Sequence, residues 1–475
     1  MFSKMISFRT LALAAGAAAL IGTSSAHGAV RYVKFNAVGA NNGTSWNNAY
    51  RKLQDALAAV VDGDEVWVAA GTYVPAVPAD VDPKDQPFRI RRGAKVYGGF
   101  LGNEATRAQR NPAVHVTILS GDINGDDLPG FVNRADNSMS VVSIITELQN
   151  PVTTSFRVLD GFTIRGGSAI DPNNQGADSG GGMRLSTTGL PVRVTNCVFR
   201  DNDGEMGGAL IVVTPSDATN ILFTNCLFAG NRANINAVEV QNCQGVRFAS
   251  CTFAHNKGTQ NFSGSFRALN APNLMLTNCI FWGSEGGPFT GAQSSQLSVT
   301  DSPGTQILSC VFPAGPLVGV DCRFTDPCFV DPSGPDGNLG TADDDFRLRS
   351  GSLAIDAGNG GLIPNDFGDT DGDGNFFEQV QVDLDRISRV LDDAGITNTG
   401  VGLAVDIGAY ENSGLSCLGD YSGDGLVNTI DLTRFLGNFG TTSNPCGSID
   451  LNADGVVNTA DLVIFLGKFG NNCNI

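Results

Sequence analysis

Charged residues are scarce in this 475-residue chain, only 16%, and the basic ones are the scarcer: 30 Lys and Arg against 48 Asp and Glu, a formal net charge of −18. A chain so poor in cations offers no basic face for phosphates, which argues against nucleic acid as a partner. So little charge also leaves few solvated helices to be expected. Histidine is nearly absent, and His27, His115 and His255 form no cluster in the sequence. Past the first 26 residues no apolar run reaches the roughly 18 residues a membrane span requires. Glycine is plentiful instead, at 60 residues, and points to many tight turns.

The first 26 residues have their own pattern. Lys4 and Arg9 precede the apolar run Leu11 to Ile21, and T-S-S-A follows, with Ser24 and Ala26 at the small positions of a cleavage site. Residues 1–26 therefore read as an export signal, and the mature chain is expected to start near His27, secreted or held at the cell surface. Acidity is concentrated late: residues 320–411 hold 19 acids and 5 bases. Carboxylates at that density repel unless cations neutralise them, so Ca²⁺ is the natural suspicion.

Five segments align on cysteine: VTNCVF at 194–199, FTNCLF at 223–228, FASCTF at 248–253, LTNCIF at 276–281 and ILSCVF at 307–312. The cysteines are 29, 25, 28 and 31 residues apart. Such units are β-branched and aromatic, lack helical periodicity, and can bury their apolar faces only by stacking, as a solenoid does. Phenylalanine always stands two positions after the cysteine, and an apolar residue three before it. Those two columns are five residues apart, an odd number that a flat strand would send to opposite faces. A bend is therefore expected at Asn196, Asn225, Ser250, Asn278 and Ser309, where asparagine tolerates the left-handed conformation and can bond its neighbour one rung away. Cys197, Cys226, Cys251, Cys279 and Cys310 then point inward as core residues. Cys322, Cys328, Cys417, Cys446 and Cys473 lie in the irregular remainder, with Cys322–Cys328 and Cys417–Cys473 as candidate crosslinks.

These repeats resemble the right-handed parallel β-helix of the pectin-lyase-like type, over roughly residues 30 to 315 and most clearly from RVLDGFTIRGG at 157 onward. The stretch from YVKFNAVGANNGTSWNNAY to EVWVAAGTYVP, with a capping helix carrying Leu53, Leu57, Val60 and Val61, is similar to the opening of exported bacterial proteins of that type. CFVDPSGPDGNLGTADDDFRLRSGSLAIDAG, closing with DIGAYE at 406–411, resembles the C-terminal part of choice-of-anchor β-helix proteins. The resemblance implies an all-β solenoid: residues 27–156 as N-terminal cap and first rungs, 157–315 as the repeats, 316–412 as an acidic C-terminal cap, and 413–475 as a separate module.

Lyases and hydrolases occur among such proteins, but the G-H-G, R-I-K and W-x-D-H strings of those families are missing here. Six positions after successive cysteines stand Asp203, Arg232, Lys257 and Glu285, with Arg200, Asp201, Glu205 and His255 nearby. Asp203 and Glu285 are the candidate catalytic carboxylates, since glycosidase chemistry needs two acids roughly 5 to 10 Å apart. The competing reading is a surface ladder in which Asp203 pairs with Arg232 and Lys257 with Glu285. Five positions after cysteine, Asn202, Asn231, Asn256 and Ser284 read as a second turn column.

The strongest motif is a duplication with a period of 30 residues near the C-terminus, D420-Y-S-G-D-G-L-V-N-T-I-D431 and D450-L-N-A-D-G-V-V-N-T-A-D461. Oxygen ligands alternate as in an EF-hand loop, with glycine at the sharp turn. They are Asp420, Ser422, Asp424, the carbonyl of Leu426, Asn428 and Asp431, then Asp450, Asn452, Asp454, the carbonyl of Val456, Asn458 and Asp461. Two apolar stripes follow, Leu432, Phe435, Leu436, Phe439 and Leu462, Phe465, Leu466, Phe469, expected to pack on each other. Aspartate at the last loop position and the missing entering helix make 414–475 resemble a type I dockerin. That resemblance implies Ca²⁺-coupled folding and a cohesin-like partner read through Thr429–Ile430 and Thr459–Ala460. Further Ca²⁺ candidates are Asp369, Asp371 and Asp373, with Glu378 as an added ligand, and the segment Asp122–Asp127. Two functions follow: a secreted β-helix protein that binds polysaccharide or a cell surface and is tethered by its dockerin-like module, or a polysaccharide-degrading lyase or glycoside hydrolase brought to a complex by that module. The missing catalytic strings weigh toward the first.

Overall fold

The computed structural model describes residues 28–472, apart from 76–81, 146–155, 171–178, 187–190, 215–219, 261–263, 287–295, 314–318, 350–351, 370, 394–396, 413–418, 423–425, 442–448 and 452–455. The expected signal segment 1–26 lies outside the described residues. Three long sheets, of nine, nine and seven strands, run parallel throughout, and the central turns of chain each contribute one short strand to each. The strands Val192–Thr195, Ile221–Thr224 and Arg247–Ala249 belong to the first sheet, Val198–Arg200, Leu227–Ala229 and Thr252–Ala254 to the second, and Leu210–Val213, Asn236–Gln241 and Gly264–Leu269 to the third. This is a parallel β-helix.

Its corner between the first and second sheets is the bend expected from the cysteine columns. Asn196, Asn225, Ser250, Asn278 and Ser309 all take φ of 50° to 51°, where asparagine pays less than other residues. That single left-handed residue turns cysteine and phenylalanine inward together. The five cysteines are free and buried. Phe199, Phe228, Phe253, Phe281 and Phe312 stack at centroid distances of 4.7, 4.9, 4.6 and 5.0 Å, with Phe223 on Phe248 at 4.6 Å beside them. Rung spacing close to the offset-stacking distance makes such a column self-consistent. Asn202, Asn231 and Asn256 form a second buried ladder, Nδ2 of each donating to Oδ1 of the next at 3.0 Å.

Two expectations about cysteine change. Cys322 is a free thiol, whereas Cys328 is disulfide-bonded, so the two do not pair. The reason is a sixth short rung: Asp321 takes φ of 55°, Cys322 Sγ lies 3.4 Å from the Cys310 amide, and Arg323–Phe324 pairs with Val311–Phe312. Cys322 thus continues the inward cysteine column. Cys417, Cys446 and Cys473 lie outside the described residues. Cys243, outside the five aligned segments, is a further buried free thiol and follows the left-handed Asn242.

At the N-terminal end α1 (Leu53–Ala59) buries Leu53, Ala56 and Leu57 against the first rungs, while Val61, beyond the helix, is exposed. The acidic segment expected as a cap lies instead along the flank. Phe329, Phe346, Leu348, Ile355, Leu384 and Ile407 pack on the outward side chains Leu227, Ala229, Ala254, Ile280 and Val311 of the second sheet. Polar groups of the asparagine corner fix its position: Asn225 Nδ2 donates to the Val382 carbonyl at 2.7 Å, and Asn278 exchanges bonds with Asn359 at 3.0 and 2.9 Å. Fully buried Arg389 donates to Glu411 (2.6 Å), Asn225 Oδ1 (2.9 Å) and the carbonyls of Gly408 and Ala409. Among the described residues no helix is long and apolar enough to cross a membrane.

Candidate functional site

The charged stripe forms as an in-register ladder, Asp203 beside Arg232, Arg232 beside Lys257 and Lys257 beside Glu285. Asp203 is buried and accepts from Arg232 Nε at 3.1 Å and Nη2 at 2.5 Å. Arg232 also covers the Phe131 ring, 4.2 Å from its centroid. Lys257 and Glu285 meet at 3.2 Å and remain largely in water, a pair worth about 1 kcal/mol at most. Asp203 and Glu285 are three rungs apart, roughly 14 Å at about 4.8 Å per rung, beyond the ~5 to 10 Å of a glycosidase pair. Nearby, Arg200 donates to the Thr341 carbonyl, Asp201 pairs with Arg134 and Glu205 accepts from Asn234. His255 stands 6.2 Å from Phe346, its pKa lowered by burial.

In the C-terminal module, α2 (Thr429–Gly437) and α3 (Thr459–Leu466) begin at equivalent loop positions. Asn428 and Asn458 cap them, each accepting from the amide two residues on at 2.7 Å, while Asp431 and Asp461 accept from the Asn428 and Asn458 amides at 2.8 Å. Val427 pairs with Gly470 and Asn471, and Val457 with Gly440 and Thr441, so the two halves repeat each other's contacts. Phe435 and Phe465 are fully buried and stack at 5.5 Å, joined by Tyr421. Only half of each apolar stripe is used this way: Leu436, Phe439, Leu466 and Phe469 are exposed. Asp431, Asp450 and Asp461 are buried, while Asp420 and Ser422 are half-buried and bonded to each other at 3.2 Å. Buried carboxylates in loops of amide and carbonyl oxygens fit a hard divalent cation. Asp424, Asn452 and Asp454 lie outside the described residues. Arg434 ties the module to the flank through Asp331 at 2.9 Å and the Val330 carbonyl at 3.1 Å.

Asp369, Asp371 and Asp373 do gather, each offering an oxygen within 4.8 Å of the others, and Asp371 also meets Asp366 and Glu378 in this way. Asp369 is also paired with Arg107, which bonds Glu65 at 2.7 Å. Asp122, Asp126 and Asp127 form a similar trio. Burial pushes Asp127 up to about 6, against the lowering effect of Asn137 and Arg134.

Sequence reasoning missed two further sites. On the third sheet, buried Glu239 accepts Arg267 Nε at 2.9 and 3.0 Å. Their separation of 28 residues, equal to that of Cys251 and Cys279, was the available signal. The other is a cavity of 420 Å³ between the second sheet and the flank segment, lined by Ile118, Thr163 and Val198 on one side and Asp344, Asp385 and Tyr410 on the other. Asp344 and Asp385 are each pushed up to about 6, chiefly by burial, and burial also raises Tyr410. No repeat spacing links these walls, because the flank lies far along the chain.

A family model described as right handed beta helix region matches residues 181–313. No curated protein matches the chain. Among solved structures, a pectate lyase is 15% identical over 81% of this chain and 96% of its own, with a TM-score of 0.38. A rhamnogalacturonan lyase is 12% identical over 68% of this chain and 97% of its own, with a TM-score of 0.34. A lacto-N-biosidase from Eubacterium ramulus is 11% identical over 60% and 58%, with a TM-score of 0.30. Likenesses this distant say nothing of substrate; the matched family model and the rung-by-rung pairing identify the fold as a right-handed parallel β-helix.

Proposed function

We propose that the chain is an exported, calcium-binding β-helix protein that holds polysaccharide or a glycan-bearing cell surface and is tethered through its C-terminal, dockerin-like module to a cohesin-like partner. The observation that carries the non-catalytic reading is the pairing of the charged stripe. Asp203 is taken up by Arg232, Glu285 by Lys257, and three rungs separate the two acids. A general acid and a nucleophile need closer, less neutralised carboxylates. The tethering half is supported by the two repeated loops, whose acids Asp431 and Asp461 are both buried and stand at equivalent positions of α2 and α3. The test incubates the mature protein with Ca²⁺ and a panel of plant and algal polysaccharides, following reducing ends, the absorbance of unsaturated products and binding. Binding without either product is expected. Unsaturated product would make the protein a lyase, and reducing ends alone a hydrolase, and either would overturn the non-catalytic reading.

A further inference from the structure

We propose that the cleft between the second sheet and the flank segment is a binding site for a neutral sugar ring, and that uronate-rich chains are excluded from it. This rests on the polysaccharide-binding reading and adds to it a place and a ligand class.

The floor is the outward column Ile118, Thr163 and Val198, side by side on three successive rungs. With rungs about 4.8 Å apart it is a flat, mostly aliphatic platform roughly 10 Å long, suited to the C–H face of a pyranose. Further along the same column, Leu227, Ile280 and Val311 are covered by Phe346, Leu384, Ile407 and their neighbours. Over Ile118, Thr163 and Val198 the flank does not pack down in this way and leaves a cavity of 420 Å³, within the ~300 to 1,000 Å³ usual for small-ligand sites. Its polar wall is supplied by Asp344, Asp385 and Tyr410, which can accept from sugar hydroxyls.

Charge selects the class. Two carboxyls, Asp344 and Asp385, face the cavity against one guanidinium, Arg200, so the lining carries a net negative charge. A ligand carboxylate would add a third negative charge to this partly dry site, against the single guanidinium. Hydroxyl donors meet no such penalty. Burial has already pushed Asp344 and Asp385 up to about 6, the mark of carboxyls short of water and gaining from new donors.

The experiment measures binding of the full chain, with Ca²⁺, to neutral galactan, arabinoxylan and β-glucan and to polygalacturonate and alginate, by affinity electrophoresis and calorimetry. Val198→Trp fills the floor, and Asp385→Asn keeps shape while removing charge; thermal unfolding checks that each is folded. Binding of a neutral polysaccharide, weakened about tenfold or more by both substitutions, is the expected result. Neutral binding that both folded variants retain would overturn the cleft while leaving polysaccharide binding intact. Binding of uronate chains alone would overturn the ligand class, and silence toward every glycan would overturn the parent reading as well. Should Val198→Trp fail to fold, Asp385→Asn alone decides between retained and weakened binding.

Discussion

Replacing Phe253 with alanine tests whether the core is held rung by rung. Phe253 is fully buried, stacks on Phe228 at 4.9 Å and on Phe281 at 4.6 Å, and meets Phe248 and Phe266 edge-on at 5.6 and 5.3 Å. Truncating a buried phenylalanine costs about 3 to 5 kcal/mol, and with four aromatic partners the upper end is expected, since each pair adds roughly 0.5 to 1.5 kcal/mol. Phe312, at the end of the column, has one stacked partner, Phe281 at 5.0 Å, and a tilted contact with Phe324 at 6.4 Å. Phe312→Ala should therefore cost less, by about 1 to 3 kcal/mol from the missing pairs. In a solenoid each unit touches only its neighbours, so the loss falls on adjacent rungs. Native-state hydrogen exchange reads this directly: the Phe253→Ala variant should lose protection at Leu227–Ala229, Thr252–Ala254 and Ile280–Trp282, and little at Val30–Val33. Equal costs for the two substitutions, or protection lost evenly along the whole helix, would refute the reasoning.

The flank depends on Arg389, so Arg389→Met should strand buried Glu411 and cost about 3 to 5 kcal/mol; limited proteolysis should then cut within 326–412 while the β-helix survives, and unchanged resistance would count against this anchor. Buried Asp406 is pushed up to about 7 by burial. A raised carboxyl pKa contributes stability that is fully present below the unfolded value near 4 and is lost as pH rises toward 7. The melting temperature of the native protein minus that of Asp406→Asn should therefore fall between about pH 4 and 7, and a difference that rose would contradict the burial argument. Chelating Ca²⁺ should remove the circular-dichroism signal of α2 and α3, and Asp461→Ala should lower the bound Ca²⁺ by one as titrated calorimetrically; helices indifferent to chelation would show that the loops fold without metal.

Much of the inner solenoid was legible beforehand because its causes are local and repeated. One left-handed residue before each cysteine sets the corner, and that requirement recurs every 25 to 31 residues. The paired stripe could be read for the same reason, because residues at equal distances from successive cysteines fall on adjacent rungs. The symmetric helix starts of the C-terminal module follow from Asn428 and Asn458 in the same way. The exposure of Phe439 and Phe469 was not legible, since a helical stripe does not reveal how much of it a small partner can cover.

What the sequence by itself determined, then, is the set of residues that face inward and the places where the chain turns, because each depends on neighbours a few residues away. Only the tertiary structure decided where the acidic segment rests, that Cys322 joins the inward column instead of pairing with Cys328, and that Asp344, Asp385 and Tyr410 come to wall a cleft floored by Thr163 and Val198. Those contacts join residues far apart in the chain, as Asn225 joins Val382 across 157 positions. They recur at no period, so packing of the flank on the finished sheets had to place them.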